Sequence, residues 1–97
     1  MLQPRRMIAV HPGEVLQEIL DQNQITQSEV AQRLNMTQSK ISDICRGKRG
    51  VTPDMAVRLG KLFGQSPVFW LNLQKNWELS QLDESAYVNI EPFLMPV

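Results

Sequence analysis

Apolar residues recur along this chain in short bursts at helical spacing, and each burst follows a residue suited to opening a helix. Val15, Leu16, Ile19 and Leu20 form one stripe behind His11-Pro12-Gly13-Glu14. Pro12 suits a first turn and Glu14 the positive end of the helix dipole, while Asp21-Gln22-Asn23-Gln24 ends the pattern. Thr26 with Glu29 three residues on makes a capping box, and Ile25 with Val30 a hydrophobic staple. This predicts a second helix to about Leu34 that turns Val30, Ala31 and Leu34 inward. Asn35 tolerates the left-handed backbone of a tight turn. Thr37 caps a third helix from Gln38 to about Arg46, with Ile41, Ile44 and Cys45 inward and Gly47 as its stop. Thr52-Pro53-Asp54 and Ser66-Pro67 open two more. The fourth turns Ala56, Leu59, Leu62 and Phe63 to the core and stops at Gly64. The fifth carries Val68, Phe69, Trp70, Leu71, Leu73 and Trp77. After Ser80 the period is lost, and Tyr87-Val88-Asn89-Ile90 reads as a short strand or an ordered tail. The expected fold is all-α, with five helices and a short C-terminal tail.

Two short helices joined by about three residues, the second polar on its outer face, describe a helix-turn-helix. Ala31 is the small residue that a close helix crossing needs, and Asn35 stands where glycine is usual. Val30, Leu34, Met36, Ile41 and Ile44 would fix the angle between the two helices. The outer face of the third helix then presents Gln38, Ser39, Ser42, Asp43 and Arg46, with Lys40 at its edge. These side chains can reach base edges and phosphates. Lys48-Arg49 follows as a basic loop, placed either for phosphate contact or as a solvated turn.

Residues 26–34, 36–42 and Gly47-Lys48 resemble the five-helix phage-repressor class of helix-turn-helix. The resemblance implies that Gln27, opening the second helix, clamps a phosphate and that Gln38 and Ser39 read bases. With it, the expected base-reading set is Gln38, Ser39, Lys40 and Asp43, and the phosphate-binding set Gln27, Thr37, Ser42, Arg46, Lys48 and Arg49. A narrower resemblance rests on His11-Pro12-Gly13-Glu14, on the run from Gly47 to Ala56, on Arg58-Leu59 and on the run from Ser66 to Gln74. These residues are similar to HigA-type, or VapI-like, antitoxins over roughly residues 11–79. That implies a dimeric repressor of its own toxin–antitoxin operon that neutralises an mRNA-cleaving toxin.

Length and composition fit this picture. The 97 residues make one small domain: an arm over 1–10, the helix-turn-helix unit over 11–79 and a tail over 80–97. One cysteine excludes an internal disulfide and fits a reducing cytoplasm. No apolar run approaches the roughly 20 residues of a membrane span. One histidine and one cysteine assemble neither a metal site nor a catalytic set, so no enzyme, metal or cofactor is expected.

Net charge is zero, yet the charges are segregated. Residues 25–50 hold five bases against two acids, a net of +3, whereas 14–24 hold Glu14, Glu18 and Asp21 and no base. Residues 77–97 hold Glu78, Asp83, Glu84 and Glu91 and no base. The basic middle suits double-stranded operator DNA, and either acidic region suits a small basic ribonuclease toxin. Arg5 and Arg6 would reach DNA or stay in solvent. Asp43 would accept from a cytosine amine or repel phosphates. Trp70, Leu73 and Trp77 are the candidate homodimer interface, with the core as the alternative for both tryptophans. Asp54 and Arg58, four apart, read as a surface pair. The residues leave open a transcriptional repressor without a toxin partner, and an adaptor that keeps the fold without DNA.

Overall fold

Every helix among the described residues opens on a side chain that accepts a hydrogen bond from its first turn. The computed structural model describes residues 9–94. Among them are five α-helices: α1 (Pro12–Asn23), α2 (Gln27–Leu34), α3 (Gln38–Cys45), α4 (Pro53–Phe63) and α5 (Pro67–Ser80). A 3₁₀ turn spans Glu84–Tyr87, and no strand occurs among the described residues. The caps are Thr26, Thr37, Thr52 and Ser66, as the sequence predicts, together with His11, whose Nδ1 accepts from the Gly13 amide at 2.9 Å. Prolines occupy the first turn of α1, α4 and α5. Gln24, Asn35 and Gly64 end their helices in the left-handed conformation.

Leu16, Leu20, Ile41, Ile44, Leu59 and Trp70 form the centre of the core. Val15, Ile19, Leu62 and Phe63, expected inward, pack half-buried at its border, and Met55 joins Ala56 inside. α4 lies along α5 and α2 along α3; α1 bridges α3 and α5. Two glycines permit the closest approaches. A Cβ on Gly13 would collide with the Ile44 carbonyl, where the start of α1 meets the end of α3. A Cβ on Gly60 would collide with the Gln65 carbonyl, where the chain turns into α5.

Two expectations narrow, and one cap lies deeper than the rest. Trp70 has no exposed surface, and its indole N–H donates to Gln65 Oε1 at 2.7 Å. It is a core residue and has nothing to offer a partner; Leu73 and Trp77 are half-buried and keep some surface. Tyr87 ends a 3₁₀ turn, and the Ile90 amide donates back to the Tyr87 carbonyl, so the tail segment is turned and not extended. His11 is a cap in the interior, against the edge of the Trp77 ring at 4.8 Å between centroids. Arg5 and Arg6 lie outside the described residues.

The His11 cap carries a pH signature. Burial holds its imidazole below the ordinary value of 6.5, against the opposing pull of the Glu14 carboxylate. Nδ1 can accept the Gly13 amide only while that nitrogen is unprotonated. The unfolded chain therefore binds a proton more readily, and stability rises with pH across this range. The His11 contribution is complete above about pH 6.5 and is lost as pH falls through the depressed folded value. Urea titrations between pH 7.5 and 5 should show this loss. His11→Asn, which keeps a capping oxygen, should make the curve flatter over the same interval.

Candidate nucleic-acid interface

The turn between α2 and α3 is fixed from both sides. At the start of α2 the capping box is complete: Thr26 Oγ1 accepts from the Glu29 amide at 3.0 Å, and Glu29 Oε1 accepts from the Thr26 amide at 2.8 Å. At its end Asn35 takes φ 57°, and the Met36 amide donates to the Ala31 carbonyl at 2.8 Å. Ala31 is buried at this crossing. The Thr37 hydroxyl, expected at a phosphate, caps α3 by accepting from the Lys40 amide at 3.3 Å.

With Ile41 and Ile44 buried, the opposite face of α3 is committed to solvent. Gln38, Ser39, Lys40 and Arg46 are exposed; Ser42 and Asp43 are half-exposed. Positions 38, 39, 42, 43 and 46 share one helical face. Asp43 pairs with Arg46 at 3.4 Å, an exposed contact worth about 0–1 kcal/mol. The Asp43 carboxylate thus sits beside a cation, which offsets the charge it brings to this face.

The basic loop is bound to the same helix through its backbone. Gly47 turns at φ 78°, and the Lys48 and Arg49 amides both donate to the Asp43 carbonyl, at 2.8 and 3.2 Å. The Lys48 and Arg49 side chains stay exposed. The polar α3 face and the loop therefore form one continuous surface carrying Lys40, Arg46, Lys48 and Arg49. Gln27, at the start of α2, is half-buried and donates to Gln17 Oε1 of α1 at 2.8 Å. It also contacts Cys45, whose thiol is pushed up by burial and by Asp21, with Gln27 opposing.

Three polar contacts that the sequence does not announce hold this surface in place. Gln74 on α5 is buried; its Oε1 accepts from the Val51 amide at 2.7 Å, and its Nε2 donates to Glu78 at 2.9 Å. A Cβ on Gly50 would come within 2.8 Å of that amide nitrogen, so a side chain there would have to displace the end of Gln74. Arg58 forms the expected pair with Asp54 at 2.8 Å but also donates to the Leu34 carbonyl at 3.2 Å, one of the carbonyls a helix end leaves free. The Gln17–Gln27 contact is the third. No local pattern marks the contacts to Gln27, Val51 and Leu34, which span ten or more positions.

The helix-turn-helix family profile matches residues 16–71. The fold is similar to that of a Pseudomonas aeruginosa protein solved with 18-bp operator DNA: TM-score 0.81, 36% identity, 87% of this chain and 96% of the other. It is also similar to Pseudomonas aeruginosa antitoxin HigA, solved with the higBA promoter: TM-score 0.76, 37% identity, 89% of this chain and 99% of that one. Virulence-associated protein I of Dichelobacter nodosus is 37% identical over 79 residues, 80% of this chain and 73% of its own length.

The loop anchor is testable without DNA. Gln74→Glu keeps an acceptor for Val51 but turns a carboxylate toward Glu78 in place of a donor. It should cost about 1–3 kcal/mol in urea unfolding, the range for a buried polar group left without its partner. Adding Glu78→Gln restores one donor and one acceptor at the wild-type charge and should recover most of the loss. If the double variant is as unstable as the single, the Gln74–Glu78 contact contributes nothing.

Proposed function

Because the chain belongs to the helix-turn-helix family, we propose that it is a sequence-specific DNA-binding repressor and the antitoxin of a type II toxin–antitoxin module. The observation that carries the DNA reading is the continuity of the polar α3 face with the basic loop through the Asp43 carbonyl. Gln38, Ser39 and Lys40, with Asp43, read base edges. Gln27, Thr37, Ser42, Arg46, Lys48 and Arg49 hold phosphates. Thr37 serves as a helix cap and has a hydroxyl oxygen to share; Gln27 is steadied by Gln17. The similarity to a HigA antitoxin solved with a promoter supports the same assignment.

One short reading helix covers only a few base pairs, so useful specificity requires two half-sites about one helical turn apart. The reading therefore includes a symmetric homodimer on a palindromic operator in the promoter of its own operon. Phe69, Leu73 and Trp77 recur every fourth residue along α5 and all retain surface, which makes this stripe the proposed interface. No helix among the described residues is long and apolar enough to cross a membrane, consistent with a cytoplasmic repressor. Its second partner is a small basic ribonuclease that cleaves mRNA, held through an acidic region away from the α3 face.

Gln38→Ala should change base preference, costing about 1–3 kcal/mol at one operator position. Lys48→Ala should weaken all sequences alike and reduce the salt slope by about one unit. Fluorescence anisotropy over a salt series separates the two, and a specificity change in Lys48→Ala with an unaltered slope would refute the loop assignment. Sedimentation at micromolar protein checks the assembly. A monomer both free and on operator would overturn the dimer.

A further inference from the structure

From Gln81 to Leu94 every residue is exposed. The segment nevertheless carries Leu82, Tyr87, Val88, Ile90, Phe93 and Leu94, with exposures from 47% at Tyr87 to 100% at Phe93. Apolar side chains that a small protein leaves clustered in water mark an interaction surface. The segment is also shaped. Asp83 Oδ1 accepts from the Ser85 amide at 3.0 Å and the Ser85 hydroxyl at 2.7 Å. The 3₁₀ turn follows, and the Ile90 amide closes a second turn on Tyr87 at 3.0 Å.

Charge selects the partner. Beyond Lys75 the chain has four acids and no base. DNA and anionic membrane surfaces repel such a segment. A second copy of this chain is also a poor fit. Away from the α3 face and basic loop, residues 9–75 offer Arg33, Arg58, Lys61 and Lys75 against Glu14, Glu18, Asp21, Glu29 and Asp54, and Arg58 is already paired with Asp54. Among the described residues, the only strongly basic surface on a second copy is the one assigned to the operator. What remains is a different protein with a basic surface around an apolar groove.

We infer that residues 82–94 are the docking segment for the basic toxin, with Ile90 and Phe93 as apolar anchors and Glu91 as an electrostatic guide. This rests on the antitoxin reading above and chooses the tail over the acidic face of α1. Anchors of this kind dominate binding energy, while exposed charges set the salt dependence.

The test uses the full-length protein and the small basic ribonuclease encoded beside its gene, with affinities measured by calorimetry from low to moderate salt. Ile90→Ser with Phe93→Ser alters only exposed side chains, so the folded unit is preserved, as circular dichroism will verify. Toxin binding should weaken at least about 30-fold, with operator affinity unchanged. Glu91→Lys should lower the affinity most at low salt and reduce the salt dependence. Undiminished toxin binding by the double variant overturns the docking segment and leaves the antitoxin reading in place. A wild-type protein that does not bind this ribonuclease at all overturns the reading, and the inference with it. A double variant that becomes monomeric would show that the tail packs on a second copy, which also overturns the inference.

Discussion

The arrangement depends on one contact without side chains: the backbone of Gly13 against the carbonyl of Ile44. It brings the start of α1 onto the end of α3, and only a residue without a Cβ leaves that distance open. The neighbouring residues elaborate the contact. Pro12 and His11 are buried beside it, the His11 ring lies close to Gly47, and the Trp77 ring meets His11 edge-on. Three parts of the chain far apart in sequence thus converge at the C-terminal end of α3. The orientation of α3 is set by this convergence together with its packing on α2.

A second set of restraints acts on the loop that follows. The Asp43 carbonyl holds it to α3, and Gln74 holds it to α5. A basic loop with mobile lysine and arginine stems is thereby given a fixed backbone. Little backbone ordering would be left for association with a polyanion, which lowers the entropic cost of such binding.

The helices were legible because their signals are local. A cap at Thr26, Thr37, Thr52 or Ser66 acts on amides two or three residues away, and Asn35 and Gly64 adopt their turns for reasons intrinsic to the residue. The polar α3 face followed from the burial of Ile41 and Ile44. Gln74 and Arg58 were illegible for the opposite reason. Gln74 meets the Val51 amide 23 positions away, and Arg58 meets the Leu34 carbonyl 24 positions away. A lone polar residue in a helix has no periodicity to announce such a partner. Trp70 had two readings because amphipathic spacing identifies an inward face without saying what covers it. The protomer itself covers Trp70 completely. The tail's β-prone composition was overruled by the Asp83 and Tyr87 turns.

Among the described residues, the side chains of Gln38, Ser39 and Ser42 make no hydrogen bond and fill no core space, whereas Gly13, Ala31 and Gln74 each occupy a position that packing or pairing defines. The two groups answer to separate demands. Substitutions at the first three alter the outer face at almost no expense in stability, since surface positions without partners typically tolerate replacement within about half a kcal/mol. Lineages descended from one such ancestor are therefore free to diverge in the chemistry of this face while inheriting the same scaffold, and duplicated copies within one genome can be told apart through a few surface changes.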